Sequence, residues 1–205
     1  MKTLRIHLIR HGATDANYQG KYIGCKTDLP LAPEGFNELR ILKEDIEYPK
    51  IQKLYSSPLL RCRQTAATLY PNMDIQCVDN MIEYDFGDFE GKTAEQLENH
   101  PSFLSWASGK LSAPPNGEEN SDFIKRLCLG LNQIIVDMLN NNISESAVIM
   151  HGGAIMMLLG ACAVPQHKPV EWVAENGRGY SLRITPSLYH KSGIVEVYEI
   201  GRAHV

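Results

Sequence analysis

Residues Leu4-Arg5-Ile6-His7-Leu8-Ile9-Arg10-His11-Gly12 hold a compact β-prone run, Leu4 to Ile9, that breaks off at Arg10-His11-Gly12. A short apolar run stopped by a glycine turn reads as a buried strand, here placed centrally in a sheet. A distant passage repeats the arrangement: Ala147 to Met150 is apolar and breaks off at His151-Gly152-Gly153. In an open α/β sheet the ligand crevice lies beyond the carboxyl ends of the strands, so residues just past two neighbouring strands converge although far apart in sequence. Glycine after each histidine lets the backbone turn sharply and approach a ligand. One His-Gly pair is an ordinary turn. Two at strand ends, the first preceded by arginine, point to a shared site. A neutral, oriented imidazole can attack phosphorus, and an adjacent guanidinium can hold phosphoryl oxygens through paired donors. Arg10-His11 supplies both groups.

Outward from these two strands, helix and strand signals alternate. Glu34 to Ile46, after Pro33, places Phe36, Leu39, Leu42 and Ile46 at helical spacing, and Ile51 to Tyr55 reads as a strand. Leu59 to Tyr70 is rich in helix formers and stopped by Pro71, with a short strand over Ile75 to Val78. From Tyr84 to Pro115 the rhythm is lost, which predicts an irregular or short-helical excursion at about 84–115 near the site. Ser121 to Asn140 carries an apolar stripe at helical spacing, Ala154 to Ala163 reads as a helix stopped by Pro165, and Tyr180–Ile184 and Ile194–Ile200 are β-prone. The pattern predicts an α/β fold, a three-layer sandwich with a largely parallel central sheet. A length of 205 residues fits one domain over 1–205.

Composition narrows the function. Apolar residues at 43% and charged residues at 21% are ordinary for a soluble globular chain and exclude collagenous and disordered classes. Twenty Lys and Arg against 24 Asp and Glu give a net charge of -4, which argues against wrapping nucleic acid over a broad basic face. An anionic ligand must therefore meet a local cluster of cations. No run approaches the roughly 18 apolar residues of a membrane span, and the first ten residues lack the apolar core of a secretory signal. The five cysteines are scattered and form no C-x-x-C pair, which predicts a reduced, cytoplasmic protein.

Leu8-Ile9-Arg10-His11-Gly12-Ala13-Thr14 with Asn17 resembles the RHG signature of the histidine phosphatase superfamily, which includes phosphoglycerate mutases. Ser57-Pro58-Leu59-Leu60-Arg61-Cys62-Arg63-Gln64-Thr65-Ala66 resembles its second arginine motif. Glu83-Tyr84-Asp85-Phe86-Gly87-Asp88-Phe89-Glu90-Gly91 resembles its acid-bearing motif, and His151-Gly152 its second histidine. Four motifs in this order reach from residue 8 to residue 153. The resemblance implies a phosphoglycerate mutase-like fold, with His11 as the transiently phosphorylated nucleophile. It further implies that Arg10, Arg61 and His151 hold the phosphoryl oxygens, and that Glu83 is the proton donor. Asn17 matches a family asparagine whose amide could reach a phosphoryl oxygen, with a turn-stabilising contact as the plainer alternative.

Other residues compete for roles. Arg61 and Arg63 are about 200° apart on a helix, so one of them faces a shared pocket, and Arg63 is assigned to the surface or a structural pair. Gly152, Tyr22 and Gly24 are candidate substrate contacts, with Lys21 and Lys26 in the same loop and Trp106 and Arg178 as weaker candidates. Gly87 to Thr93 looks superficially like a P-loop but is one residue too short. His7 and His11 lie on a strand, not at helical metal spacing, and no motif supports zinc, so neither metal nor another cofactor is expected. His100, His167, His190 and His204 are expected at the surface.

The resulting reading is a phosphatase that hydrolyses a small-molecule phosphomonoester through phosphohistidine, similar to α-ribazole phosphatases and broad-specificity phosphatases. A cofactor-dependent phosphoglycerate mutase is the first alternative, since both share the catalytic core. A non-catalytic phospho-ligand or partner-binding protein is the second. Asn116-Gly117-Glu118-Glu119 resembles a Gly-Glu-Ser stretch of many such phosphatases, with Glu119 where serine would stand.

Overall fold

The computed structural model describes residues 3–199. Seven strands form one sheet in the order β3-β2-β4-β1-β6-β7-β5: β1 (Leu4–Arg10), β2 (Lys53–Ser56), β3 (Ile75–Cys77), β4 (Glu145–Met150), β5 (Ala163–Val164), β6 (Gly179–Ile184) and β7 (Val195–Glu199). β1 is the middle strand, as its apolar run predicts. Its pairing with β4, and those of β2 with β4 and β3, are parallel, as is β5 with β7. β6 runs antiparallel to both β1 and β7. The sheet is thus mostly parallel.

Among the described residues there are eight α-helices: α1 (Asp15–Tyr18), α2 (Pro33–Asp45), α3 (Leu60–Leu69), α4 (Ala94–Leu97), α5 (Pro101–Ala107), α6 (Asn120–Asn140), α7 (Gly152–Cys162) and α8 (Pro186–Ser192). Successive strand residues point to opposite faces, and both faces of β1 are covered. Leu4, Ile6 and Leu8 join one apolar cluster with Phe123, Leu127 and Leu131 of α6 and Ile155, Leu158 and Leu159 of α7. Ile9 joins a second cluster with Leu39 of α2 and Cys62, Ala66 and Leu69 of α3. All of these are buried, and each fully buried aliphatic side chain is worth about 1.5–3 kcal/mol relative to exposure. The three layers follow from this two-sided burial.

The stretch after Tyr84 departs from the alternation as expected, with a 3-10 turn at Gly87–Phe89 followed by the short helices α4 and α5. Phe89, Leu97 and Phe103 give it a small core of its own, with Tyr22, Phe86 and Trp106 packed against it. β5 and α8 carry no separate sequence expectation. The last residue of the expected Ile194–Ile200 strand, and His204, lie outside the described residues. Among the described residues no helix is long and apolar enough to cross a membrane.

Candidate active site

Register assembles the site. Arg10 of β1 pairs with Met150 of β4, so the next residues, His11 and His151, leave the sheet side by side. The His11 N–H donates to the Met150 carbonyl at 2.9 Å, and the two imidazole centroids lie 5.2 Å apart at 65°. β2 ends at the same edge, where the Ser57 N–H donates to the Ile149 carbonyl at 2.9 Å. Arg61 follows in the first turn of α3.

His11 is 5% exposed. Its Nδ1 lies 2.7 Å from the Gly12 carbonyl oxygen. A carbonyl only accepts, so Nδ1 carries the proton and Nε2 keeps its lone pair. Burial first, and then the Arg61 and Arg10 charges, hold the imidazole well below its ordinary value of 6.5, against the Gly12 bond that favours protonation. The ring is neutral, oriented and nucleophilic at Nε2.

His151 is fully buried. Its Nδ1 accepts from Arg61 Nε at 3.3 Å, which leaves Nε2–H to donate to Ser57 Oγ at 2.8 Å. Burial, followed by the Arg61 charge, keeps this ring neutral too. Arg61 is 1% exposed and also donates to the carbonyls of Thr27 at 3.0 Å and Gly24 at 3.1 Å. Three of a guanidinium's five N–H donors are therefore engaged. Arg63 is exposed. The helical period separates the two arginines as expected, one inward and one outward.

Arg10 donates through Nη1 to the Ala174 carbonyl at 2.8 Å. Its Nε is buried with no hydrogen-bond partner among the described residues. A buried unpaired donor is rare in a folded protein and marks a place where an anion would be favoured. Burial lowers the Arg10 pKa from its ordinary value, while the Glu83 charge opposes that. Gly152 packs against this side chain: a Cβ there would stand 3.2 Å from Arg10 Nε.

Glu83 is 6% exposed and follows the 3-10 turn Asp79–Met81. Oε1 accepts from the Tyr84 N–H at 2.8 Å, and Oε2 from the Gly153 N–H at 3.0 Å. Burial raises its pKa, and this outweighs those two hydrogen bonds and the Arg61 and Arg10 charges. The carboxyl is thus biased toward its protonated, donating form.

Asn17 closes a capping box on α1: its N–H donates to Thr14 Oγ1 at 3.3 Å, and its Oδ1 accepts from the Thr14 N–H at 3.0 Å. The turn-stabilising contact is therefore present, and it leaves the side-chain NH2 outside it. Gly24 meets the site through Arg61, and its N–H donates to Glu90 Oε1 at 2.9 Å. Tyr22 is half-buried against Phe86 and Trp106. Lys26 is tied to Asp85 at 2.8 Å, and Lys21 forms an isolated β-bridge with Thr93. Arg178 pairs with Glu175 at 3.3 Å, and its carbonyl accepts from the Arg10 N–H at 2.9 Å. His7 lies buried between Ser181 and Glu145, and His100 packs edge-on to Phe89.

Several residues at the site had no role in the sequence reading. Ser57 holds His151; it stood in a quoted motif without an assignment. Gly153 holds Glu83 from the first turn of α7. Asn176 donates through Nδ2 to the His11 carbonyl at 2.7 Å, from a loop without periodicity or motif. Arg126 of α6 donates to the carbonyls of Ile82 and Glu83, each at 2.8 Å, and pairs with Glu118 at 2.7 Å. The Glu118 partner gives the Asn116–Glu119 stretch a structural purpose.

The family model of the histidine phosphatase superfamily (branch 1) matches residues 6–190. The uncharacterized phosphatase PhoE of Bacillus subtilis is 32% identical over 155 residues, 74% of each chain. The adenosylcobalamin/alpha-ribazole phosphatase of Salmonella typhimurium is 30% identical over 129 residues, 60% of this chain and 63% of that one. Among solved structures, a phosphoglycerate mutase from Bacillus anthracis superposes with a TM-score of 0.80 at 20% identity, over 98% of this chain and 94% of the other. That likeness concerns the fold.

Proposed function

The chain belongs to the histidine phosphatase superfamily, and from that premise we propose that it hydrolyses a small-molecule phosphomonoester through a phosphohistidine on His11. The observation that carries the reading is the His11 ring: buried, neutral, with Nδ1–H fixed on the Gly12 carbonyl and Nε2 left as the attacking atom. His11 Nε2 forms a bond to phosphorus as the bond to the ester oxygen breaks. The leaving oxygen takes the proton of the Glu83 carboxyl. Glu83, now a carboxylate, accepts a proton from water as the water oxygen attacks phosphorus. The P–N bond then breaks, returning neutral His11, inorganic phosphate and a protonated Glu83.

Arg10, Arg61 and His151 hold the phosphoryl oxygens throughout. Preorganised donors in a water-poor site stabilise the charge of a transferring phosphoryl group without reorganisation. Arg10 Nε has no competing protein partner among the described residues, and His151 turns its Nε2–H from Ser57 Oγ to an oxygen of the substrate. Positioned general acid–base catalysis is worth about 10²–10⁴-fold in rate, which is the loss expected on removing Glu83. Asn17 contributes its NH2 to the same cluster of donors.

The test is phosphate labelling. Wild-type protein incubated with a labelled phosphomonoester and acid-quenched late should lose its label to acid, whereas protein denatured in alkali should retain it. His11→Ala should take up none. Equal labelling of both proteins would overturn the nucleophile assignment, and no labelling of either, without phosphate release, would favour a non-catalytic binding role.

A further inference from the structure

Beside the Glu83 carboxyl lies a cavity of about 300 Å³. Tyr22, Phe86, Trp106, Phe123, Met156 and Met157 supply most of its wall, and no residue lining it carries a charge. It meets the catalytic groups at Gly153 and Tyr84, which also line it and whose N–H groups hold the two Glu83 oxygens. A Cβ on Gly153 would come within 2.8 Å of Glu83 Oε1, so only a glycine fits where this cavity-lining residue meets the carboxyl. Arg10 and Arg61 do not line the cavity, and Lys26 and Arg126 are already paired with Asp85 and Glu118. Burial pushes the Tyr22 phenol up and the Tyr84 phenol up to about 12, so the walls remain neutral.

Resting on the phosphatase reading above, we propose that the substrate is the phosphate monoester of a bulky apolar alcohol, above all one bearing an aromatic ring. Its carbon skeleton fills the cavity lined by Tyr22, Phe86, Trp106, Phe123, Met156 and Met157 while its bridging oxygen meets Glu83. Ring edges and faces on the wall offer offset and edge-on packing to a flat group. Methionine thioethers adapt to irregular apolar shapes and make favourable contacts with rings. A carboxylate or second phosphate on the leaving group would be stripped of water there without a compensating partner, which is costly. A short, charged alcohol such as that of a phosphoglycerate is therefore the wrong occupant.

The test compares phosphate release from 2-phenylethyl phosphate, glycerol 3-phosphate and 3-phosphoglycerate, all of which expel alkoxides, so leaving-group chemistry does not dominate. The expected kcat/KM for 2-phenylethyl phosphate is at least tenfold above either of the others. Met157→Lys, which puts a cation in the wall, and Trp106→Ala, which removes part of it, should each lower that ratio at least tenfold. Circular dichroism shows whether each variant is folded, and the folded one decides if the other is not. A wild-type ratio of one or less, with phosphate released, overturns the apolar assignment and leaves the phosphatase reading standing. A ratio unmoved by the folded variants overturns it as well. No release from any substrate and no label on His11 would overturn both readings together.

Discussion

His11 and His151 are both buried imidazoles whose protons are fixed by neighbours, and their cost to the fold depends on pH. Each has a folded pKa depressed well below its ordinary 6.5. The unfolded chain takes up these protons once pH falls below 6.5 and the folded chain does not, so their stabilising effect is complete above 6.5 and is lost below it. The loss deepens as pH falls further below 6.5. Glu83 acts in the opposite sense: its folded pKa is raised above 4.5, so its contribution is present at low pH and is lost as pH rises through the folded value. As pH falls, the two imidazoles and the carboxyl therefore pull in opposite directions. From pH 7.5 to 5.5 the thermal midpoint of wild type should fall relative to that of His11→Gln, because one of the two titrating imidazoles is gone in the variant. Parallel slopes for both proteins would contradict the burial account. At this scale the sequence was informative because the chemistry-bearing residues sit in short local motifs. It offered a turn-stabilising contact for Asn17 only as an alternative, since the capping box depends on which conformation Thr14 adopts.

The elements do more than carry side chains to the site; one of them holds the Glu83 backbone in place. Arg126 projects from α6 onto the carbonyls of Asn80, Ile82 and Glu83 and is locked by both oxygens of Glu118. Arg126→Met keeps much of the apolar stem but leaves Glu118 and three carbonyls without their partner. The two side chains are 17% and 18% exposed, so solvent screens part of the loss, and a destabilisation of roughly 2–3 kcal/mol is expected. Urea unfolding measures it, and kcat should fall with it as Glu83 loosens. An unchanged kcat in a folded variant would show that Glu83 is positioned without Arg126. Periodicity located the long elements to within a few residues, including α2, α3, α6 and α7. The direction of β6 was not legible. The chain returns from β5 to the end of β1 where Gly177 N–H donates to the Arg10 carbonyl and Arg10 N–H to the Arg178 carbonyl. It therefore enters β6 from the carboxyl end of β1 and runs antiparallel, a consequence of tertiary routing that local propensity does not encode. β5, of two residues, is too short to leave a periodic signal.

Across the whole molecule the net charge of -4 conceals a site built on inward arginines. The placement of Arg10 at the carboxyl edge of a parallel sheet was legible, because two strands each ended in His-Gly and open α/β sheets bind there; that of Arg61 came from the motif resemblance. The neutral cavity next to Glu83 was not legible. Its wall is drawn from the loop at Tyr22, the excursion after Tyr84, α6 and α7, and no spacing in the chain links Trp106 to Met157. On the proposed reading, the arginines take the phosphate dianion and the apolar cavity takes the leaving alcohol, with the Glu83 carboxyl between them. All of this depends on which nitrogen of His11 is free. The direct measurement is NMR of the phosphoenzyme trapped at alkaline pH, comparing phosphorus and ring-nitrogen couplings in wild type labelled at histidine. The account predicts a single phosphohistidine bonded through Nε2 and absent from His11→Ala. Phosphate on Nδ1, or on any other residue of the trapped protein, would contradict it.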